Sequence, residues 1–424
     1  MKVYIESYGC TFNKADGQII AGVLQENDID IVDSIEEADV IIVNTCYVKL
    51  PTENKVVYKI QKLQSEYPDK KIIVGGCMVE IDPEKLDKIG PNCSWIGPHQ
   101  LNKSAEIVEG TYCGEVIREV GFSKESKVCV PKVTDDSLIH IIQICEGCLG
   151  ACTFCCTRFA RGPLNSYPID DIVREARDAL DHGACEIQLT AQDTAAFGRD
   201  SGEKLSDLIK EVANLEGDFR VRVGMMHPKN ILNDVDEIID AMKHPKVYDF
   251  IHLPVQTGSD KVLKDMRRGH TISQYKEIIS KFKSEIPDIT LAVDIIVGYP
   301  TESDDDFDET VELLKEIKPS LIHLSKYQHR KGAISSSLTE IPRPVMKKRS
   351  KFLSEIKSQI TEDENKELVG TTQKVLVLEE GSKGGFIAKT DSYIPVIVDD
   401  VELGTFVDVK ITEATATYLK SELL

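Results

Sequence analysis

Five cysteines fall within the twelve residues CEGCLGACTFCC, from Cys145 to Cys156, and thiolate sulfur binds zinc and iron–sulfur clusters. The two CxxC pairs of this stretch are three residues apart, whereas zinc-knuckle pairs are separated by a dozen or more. The order C-x2-C-x3-C-x2-C also differs from the ferredoxin run C-x2-C-x2-C-x3-C-P. What remains is a CxxxCxxC set of three thiolates on one short loop: Cys148, Cys152 and Cys155.

Three thiolates on a four-iron cluster leave one iron open to a substrate or cofactor, as catalytic zinc keeps an open position. A cluster that only holds a loop together has no need of that vacancy. The loop also follows a predicted strand directly, which is where the chemistry of α/β barrels lies. The spacing therefore predicts a reactive cluster, with Cys145 and Cys156 packed as small apolar side chains.

A second set of cysteines follows three strand-like segments of the N-terminal region. Cys10 comes after KVYIESYG, Cys46 after VIIVNT and Cys77 after KIIVGG. In an open parallel sheet the carboxyl ends of the strands share one edge, where ligands bind, so we expect these three side chains to converge. The alternative is three separate buried cysteines, because free cysteine is a common core residue.

The composition of the chain limits its expected cellular compartment and its expected binding partners. The chain has 424 residues, twelve cysteines and a net charge of -20, and its last cysteine is Cys185. The start MKVYIESYGC lacks a signal-peptide pattern and no apolar run approaches the ~20 residues of a membrane helix, so we expect a soluble, cytoplasmic protein without a membrane partner. Clustered cysteines in a reducing compartment favour metal or redox chemistry over disulfides. The negative charge restricts nucleic-acid binding to local basic patches.

The elements that must position these cysteines follow three periodicities. Residues 1–130 alternate strand and helix patterns and predict an open α/β domain. Residues 131–340 contain six strand-like segments separated by five helical ones; eight would close a barrel, and six predict a partial one. Residues 341–365 are predicted to be a basic linker with a helix from FLSEIKSQ onward. Residues 366–424 change to period two, in four short strands that predict a small all-β barrel.

The chain resembles a known family in several motifs. CxxxCxxC with Phe154 before the last cysteine is similar to the signature of radical S-adenosylmethionine enzymes. The segments YGCTFNKAD, VNTCYVK and GGCM resemble the N-terminal motifs of the methylthiotransferases in that superfamily. HLPVQTGSDKVLKDMRRGHT and VDIIVGYPTESDDDFDET resemble their barrel motifs, and the C-terminal strands resemble their RNA-binding TRAM-like barrel. GCLGACTFCCTRFARGPLNSYP is most similar to the archaeal and eukaryotic branch that acts on threonylcarbamoyladenosine in tRNA.

The resemblance implies two 4Fe-4S clusters and S-adenosylmethionine as cofactors. Cys148, Cys152 and Cys155 would hold the cluster that reduces S-adenosylmethionine to a 5′-deoxyadenosyl radical. Cys10, Cys46 and Cys77 would hold a second cluster, whose open iron could carry the sulfur to be inserted. No catalytic side chain is implied beyond the clusters. The residues expected to contact the cofactor are Phe154, Gln192, Asp193, Gln256 and Asp294, and for each of the last four a loop-capping role is an equal alternative.

The implied reaction is insertion of a methylthio group at carbon-2 of threonylcarbamoyladenosine at position 37 of tRNA. Its partners are tRNA, an electron donor and a sulfur source. Basic residues expected to contact RNA are Arg158, Arg161, Arg267, Arg268, Arg330, Lys347, Lys348, Arg349 and Lys383, although a solvated face is an even alternative for any one run. Residues 366–424 carry 6 Lys and Arg against 10 Asp and Glu, which predicts a shallow salt dependence of binding.

Two other functions remain open from the residues. The same chemistry could act on a basic ribosomal protein, which an acidic chain would attract. A non-catalytic, metal-stabilised RNA-binding protein would instead contain zinc or one fully ligated cluster and would not turn over S-adenosylmethionine.

Overall fold

The strand and helix patterns at the start of the chain form an all-parallel sheet in the computed structural model, which describes residues 1–134 and 138–424. Its strands are β1 Lys2–Ser7, β2 Asp30–Ile31, β3 Val40–Thr45, β4 Lys71–Gly76, β5 Ser94–Ile96 and β6 Arg118–Glu119. The helices are α1 Thr11–Glu26, α2 Leu50–Glu66, α3 Cys77–Ile81, α4 Pro83–Ile89 and α5 Ser104–Tyr112. The strand order β2-β1-β3-β4-β5-β6 makes β1, β3 and β4 neighbours.

The central strand of this sheet, β3, has the burial pattern of a parallel strand with helices on both faces. All six residues of β3, VIIVNT, are buried, as expected for a strand with helices packed on both faces. Its register pairs Ser7 with Asn44 and Thr45 with Gly76, so the three strands end at the same edge. The three N-terminal cysteines follow those ends directly.

The second unit is a partial barrel built of two three-stranded parallel sheets. Its strands are β7 Ile139–Gln143, β8 Cys145–Glu146, β9 Asn165–Ser166, β10 Glu186–Thr190, β11 Arg220–Val223, β12 Phe250–His252, β13 Thr290–Val297 and β14 Leu321–Lys326. Its helices are α6 Thr157–Arg161, α7 Ile169–Asp181, α8 Leu205–Ala213, α9 Pro228–Ile231, α10 Val235–Met242, α11 Asp260–Asp265, α12 Ile272–Glu285 and α13 Asp304–Ile317. The orders β11-β10-β7 and β12-β13-β14 account for six parallel strands, which confirms the predicted open-sided α/β fold.

The predicted linker is a packed helix. The helix α14 spans Arg343–Lys366 and begins nine residues before the predicted start at Phe352, because Pro344 lies in its first turn, where proline is tolerated. Met346 and Leu353 are buried in the apolar core of the barrel. Among the residues that the structure describes, no helix, α14 included, combines the length and apolar composition of a membrane span.

The C-terminal unit is a closed five-stranded barrel. Its strands are β15 Thr372–Glu380, β16 Phe386–Thr390, β17 Pro395–Val398, β18 Phe406–Ala414 and β19 Leu419–Leu423. The first four agree with the strands predicted from the sequence, whereas β19 was not predicted, because its sequence LKSEL carries little apolar alternation. A closed barrel leaves no unpaired edge strand, which is how so small a sheet avoids aggregation.

The C-terminal barrel covers the beginnings of the strands in the partial barrel. The ring of Tyr393 packs against Tyr248 and Phe250, with ring centroids 4.8 and 4.9 Å apart. Arg220, the first residue of β11, pairs with Asp391 at 2.7 Å. The cysteine loop follows the carboxyl ends of the same strands, so the two features lie at opposite ends of the partial barrel.

Candidate functional site

The loop that carries Cys148, Cys152 and Cys155 is anchored at both ends. At its start, the backbone N–H of Gly147 donates to Gln192 Oε1 at 2.7 Å. Towards its end, the Thr153 hydroxyl lies 2.8 Å from the Tyr299 hydroxyl and donates to the carbonyl oxygen of Asp265 at 3.0 Å. The loop therefore has little freedom to rearrange around whatever its sulfur atoms bind.

Hydrogen-bond donors surround these sulfur atoms. The N–H of Gly150 donates to Cys148 Sγ at 3.1 Å, and Arg268 Nη1 donates to Cys152 Sγ at 3.4 Å. His227 Nε2 lies 3.9 Å from the same Cys152 sulfur. Burial raises the pKa of Cys148 to about 11, so the free thiol is neutral and loses its proton on binding a metal. Hydrogen bonds to the sulfur atoms of an iron–sulfur cluster tune its reduction potential.

The N-terminal cysteines meet at the edge of the parallel sheet. Cys10 precedes α1 as its N-cap, Cys46 follows β3, and Cys77 is the first residue of α3. Burial raises the pKa of Cys77 to about 12 against the opposing charge of Arg161, and the nearby Cys46 and Cys10 act in the same direction as burial. Gly9 has a φ of +110°, and a Cβ there would lie 2.8 Å from Cys46 Sγ, so only glycine brings the Cys10 segment this close.

Both cysteine sets fit iron–sulfur clusters better than single metal ions. All twelve cysteines are free thiols, and no three His, Cys, Asp or Glu side chains of the described residues are arranged to hold one ion. In a four-iron cluster each thiolate binds a different iron, so the sulfur atoms need not converge on a point. The remaining cysteines of the motif, Cys145 and Cys156, are 0 and 2% exposed and pack in apolar clusters.

A buried network of charges joins the two cysteine sets. Arg161, at the end of α6, contacts Asp16 of α1 at 2.6 Å and Glu146 of β8 at 2.9 Å. Lys127 contacts the same two carboxylates at 2.9 Å each. The helix α1 begins just after Cys10 and α6 begins just after Cys156, so this network fixes the N-terminal domain against the cysteine loop.

A cavity of about 560 Å³ opens between the same two regions. One wall is the segment from Val48 to Pro51, directly after Cys46 in sequence, and another is Phe154 to Thr157 of the cysteine loop. The rest of its lining comes from the ends of β13 and β14 and the residues after them, with Gln256 and Ser350. Its size is typical of a small-molecule site, and its place beyond the carboxyl ends of barrel strands is typical of an active site.

The structure divides the predicted cofactor contacts into two groups. Phe154, Gln256 and Asp294 line the cavity. Gln192 instead holds Gly147, and the 1% exposed Asp193 accepts hydrogen bonds from the His227 and Ala195 N–H groups and from Asn230 Nδ2. Gln192 and Asp193 therefore hold loops in place, which is the predicted alternative to cofactor contact for both.

Four of the predicted RNA contacts are buried, which corrects that assignment. Arg161 is held in the charge network, Arg268 binds Cys152 and the Pro254 carbonyl oxygen, Arg330 pairs with Glu53, and Arg349 pairs with Glu302 and Asp304. They are 1 to 7% exposed, so the phosphates of an RNA on the protein surface do not reach them, although Arg330 also lines the cavity. The other five, Arg158, Arg267, Lys347, Lys348 and Lys383, are exposed.

Sequence reasoning missed several side chains of the site. His227 comes close to the cysteine loop, Thr153 anchors that loop from within, and Lys49 and Lys326 line the cavity. Lys49 closes the motif VNTCYVK, so its place beside Cys46 was a usable signal. Nothing in the local sequence marks Lys326, because only the pairing of β14 with β13 brings it to this wall.

Family models match three parts of the chain. The Radical SAM superfamily model matches residues 142–314, a model of an uncharacterized protein family, UPF0004, matches residues 2–97, and the TRAM domain model matches residues 366–424. A solved structure of TsrM, a radical S-adenosylmethionine methyltransferase from Kitasatospora setae with cobalamin and a [4Fe-4S] cluster bound, has a similar fold. The TM-score is 0.59 at 13% identity, over 79% of this chain and 74% of that one.

Curated relatives align over nearly the whole chain. A "probable threonylcarbamoyladenosine tRNA methylthiotransferase" of Methanothermobacter thermautotrophicus is 56% identical over 422 residues, covering 100% of this chain and 99% of the relative. The threonylcarbamoyladenosine tRNA methylthiotransferase of Homo sapiens is 36% identical over 99% of this chain and 74% of the human protein.

Proposed function

The chain belongs to the threonylcarbamoyladenosine tRNA methylthiotransferases of the radical S-adenosylmethionine superfamily, and on this basis we propose that it inserts a methylthio group at carbon-2 of threonylcarbamoyladenosine at position 37 of tRNA. An iron–sulfur cluster and S-adenosylmethionine belong to this family's chemistry. The observation that carries the proposal is a single cavity lined both by Cys155 of the first cysteine set and by the segment that follows Cys46 of the second. A cysteine set that only stabilised a loop would not need to border a cavity.

We assign the S-adenosylmethionine cluster to Cys148, Cys152 and Cys155 and a second cluster to Cys10, Cys46 and Cys77. When bound, the first supplies one-electron reductive cleavage of the sulfonium of S-adenosylmethionine, which can activate an aromatic C–H bond. The protein contributes position and exclusion of water. Thr153 and Gln192 fix the loop, Arg268 and the Gly150 N–H donate to its sulfur atoms, and Phe154 forms an apolar wall beside Cys155.

The charge network gives the two sets a fixed separation. Asp16, Glu146, Arg161 and Lys127 are each at most 7% exposed at the side chain, and their charges balance as two carboxylates and two cations. Removing one partner of such a network leaves a buried charge uncompensated, which typically costs about 3–5 kcal/mol. A rigid relation between the sets suits a reaction in which hydrogen removal and sulfur insertion must occur at the same carbon.

The experiment that tests the function is nucleoside analysis. Anaerobically reconstituted protein is incubated with S-adenosylmethionine, a reductant, a sulfide source and tRNA that carries or lacks the threonylcarbamoyl group. We expect mass spectrometry to detect a methylthio gain only on the modified tRNA. If neither tRNA gains mass under conditions in which S-adenosylmethionine is cleaved, the proposal is wrong.

Metal analysis tests the number of clusters. Two four-iron clusters predict about eight irons per chain. Replacing Cys148, Cys152 and Cys155 by alanine should halve the iron and abolish deoxyadenosine formation. Replacing Cys10, Cys46 and Cys77 should also halve the iron but leave deoxyadenosine formation intact while sulfur insertion stops. Zinc in place of iron, or unchanged iron in either triple variant, would contradict the assignment.

A further inference from the structure

Three cations line the cavity, and one of them is an unsatisfied buried arginine. Arg330 is 6% exposed, and its Nη1 pairs with Glu53 while its Nη2 has no hydrogen-bond partner among the described residues. Glu53 is itself shared, since Lys85 contacts its other oxygen at 2.5 Å. The guanidinium also lies over the Tyr47 ring, 5.1 Å from its centroid, which fixes its plane.

An orphaned donor of this kind requires explanation. Leaving a buried polar group unpaired costs free energy, and a charged group costs more, so such a group favours a bound partner. Arg330 lines the cavity but its Nη2 is fully buried, so a shift of the guanidinium towards the cavity brings the free nitrogen to an acceptor bound there. An anionic oxygen acceptor would be favoured, because hydrogen bonds between charged groups are about twice as strong as neutral ones.

The other two cations strengthen the preference for an anion. Lys49 and Lys326 line the same cavity, both are exposed at its rim, and neither side chain makes an ion pair or hydrogen bond with another residue in the described ranges. The one carboxylate in the described lining, Asp294, accepts a hydrogen bond from His252 Nε2 at 2.7 Å. Glu53 pairs with Arg330. Against the effect of burial, the charge of Lys49 contributes, after His252, to lowering the pKa of Asp294. The three cations therefore outnumber the two neighbouring carboxylates, and the cavity keeps a net positive charge.

We propose that this cavity reads the carboxylate of the threonylcarbamoyl group, with Arg330 donating from Nη2 and with Lys49 and Lys326 at the rim. The inference rests on the proposed function, because it names the group by which that substrate is recognised. A plain adenine or an uncharged substituent would leave the buried guanidinium unsatisfied. A site built to bind a charged group rejects an analogue that lacks it more strongly than an apolar pocket rejects an extra methylene.

S-adenosylmethionine carries a carboxylate as well, so the experiment must separate the two sources. Fluorescence anisotropy measures the affinity of reconstituted protein for labelled anticodon stem–loops with three residues at position 37. These are adenosine, threonylcarbamoyladenosine, and the same group with its carboxylate converted to a carboxamide. Equilibrium dialysis measures the affinity for S-adenosylmethionine in parallel.

We expect wild-type protein to bind the carboxylate-bearing loop roughly ten-fold or more tighter than the carboxamide loop. Arg330→Gln should remove most of that ratio, leave affinity for the adenosine loop unchanged, and leave S-adenosylmethionine binding intact. Should Arg330→Gln not fold, Lys49→Ala/Lys326→Ala, at exposed positions, should reduce the same ratio. The matched control is Lys210→Ala, which removes an exposed lysine paired with Asp240 on the outer face.

Three results would overturn the inference. They are equal wild-type affinity for the carboxylate and carboxamide loops, an unchanged ratio in the variants, and a loss confined to S-adenosylmethionine binding, which would assign the cations to the cofactor. The nucleoside analysis is independent of all three. Methylthio gain on modified tRNA together with equal loop affinities would refute the carboxylate site while leaving the proposed function standing.

Discussion

Asp249 is a carboxyl group placed where the C-terminal barrel meets the partial barrel. Its backbone N–H donates to the carbonyl oxygen of Asp391 at 2.8 Å, so the two side chains are held in proximity. Burial, and then the charge of Asp391, raises the pKa of Asp249 to about 6. A carboxyl whose pKa is higher in the folded state stabilises the fold in its protonated form. That contribution is complete below about pH 4 and is lost as the pH rises through 6.

Asp249→Asn should therefore stabilise the protein at pH 7.5 by about 1 kcal/mol, after allowance for partial exposure, and change little at pH 4.5. Thermal melting at the two pH values measures the difference. The control is Asp408→Asn, an exposed carboxylate on the same C-terminal barrel, which should change neither melt. Equal effects of Asp249→Asn at both pH values would contradict the prediction.

At this scale the position of the N-terminal cysteines at the strand ends could be predicted from the sequence, whereas the burial of four arginines could not. CxxxCxxC is a local pattern, and each N-terminal cysteine follows an apolar run that marks a strand. Arg330 and its partner Glu53, by contrast, are 277 residues apart in the chain. A basic residue looks the same in sequence whether its partner is a phosphate or a distant carboxylate, so the burial of Arg161, Arg268, Arg330 and Arg349 could be seen only in the folded chain.

Among the elements, α14 is joined to the partial barrel through one buried ion pair. Arg349 contacts Glu302, and their side chains are 8 and 3% exposed. The second partner of Arg349, Asp304 at 2.7 Å, is exposed and contributes little. The attachment of α14 therefore depends on the Glu302 contact together with the apolar contacts of Met346 and Leu353.

Arg349→Met should lower the free energy of unfolding by about 3 kcal/mol, because Glu302 then remains buried without its cation. Adding Glu302→Gln should restore much of the lost free energy of unfolding, because it removes the unpaired buried carboxylate. Denaturant unfolding followed by circular dichroism measures both. Lys347→Ala, an exposed change two residues earlier on the same helix, serves as the control and should be neutral. A double variant no more stable than Arg349→Met would argue against the ion-pair account.

Element types were easier to predict than element ends. The hydrophobic periodicity and the length of each segment predict the strand VIIVNT and the five helices of the barrel. The start of α14 was missed because two prolines read as a break, although Pro344 in the first turn is compatible with a helix. The strand β19 was missed because pairing with β17 and β18 stabilises it more than its own sequence does.

For the whole molecule, net charge limits how RNA can bind. The chain carries a net charge of -20, and five of the nine predicted RNA contacts remain exposed. Each phosphate contact contributes about 0.9 to the slope of log affinity against log salt on a duplex, so five contacts limit that slope to about 4 or 5.

We expect tRNA titrations at several salt concentrations to give a slope within that limit. Lys347→Ala and Lys348→Ala should each lower it by about 1, whereas Lys210→Ala should not. A slope near 10 would mean that more cations reach the backbone than the exposed candidates supply. The acidic C-terminal barrel then contributes shape and a few lysines rather than a basic field.

The position of the C-terminal barrel at the strand beginnings has a geometric consequence. The strand β13 has eight residues and extends about 26 Å at roughly 3.3 Å per residue, and the cavity is lined by its second half, from Asp294 onward. An RNA that touches the C-terminal barrel while placing one nucleotide in the cavity must span much of the length of that strand along the outside of the protein. We therefore expect RNA binding to depend on the distance between that nucleotide and the part of the RNA that contacts the C-terminal barrel.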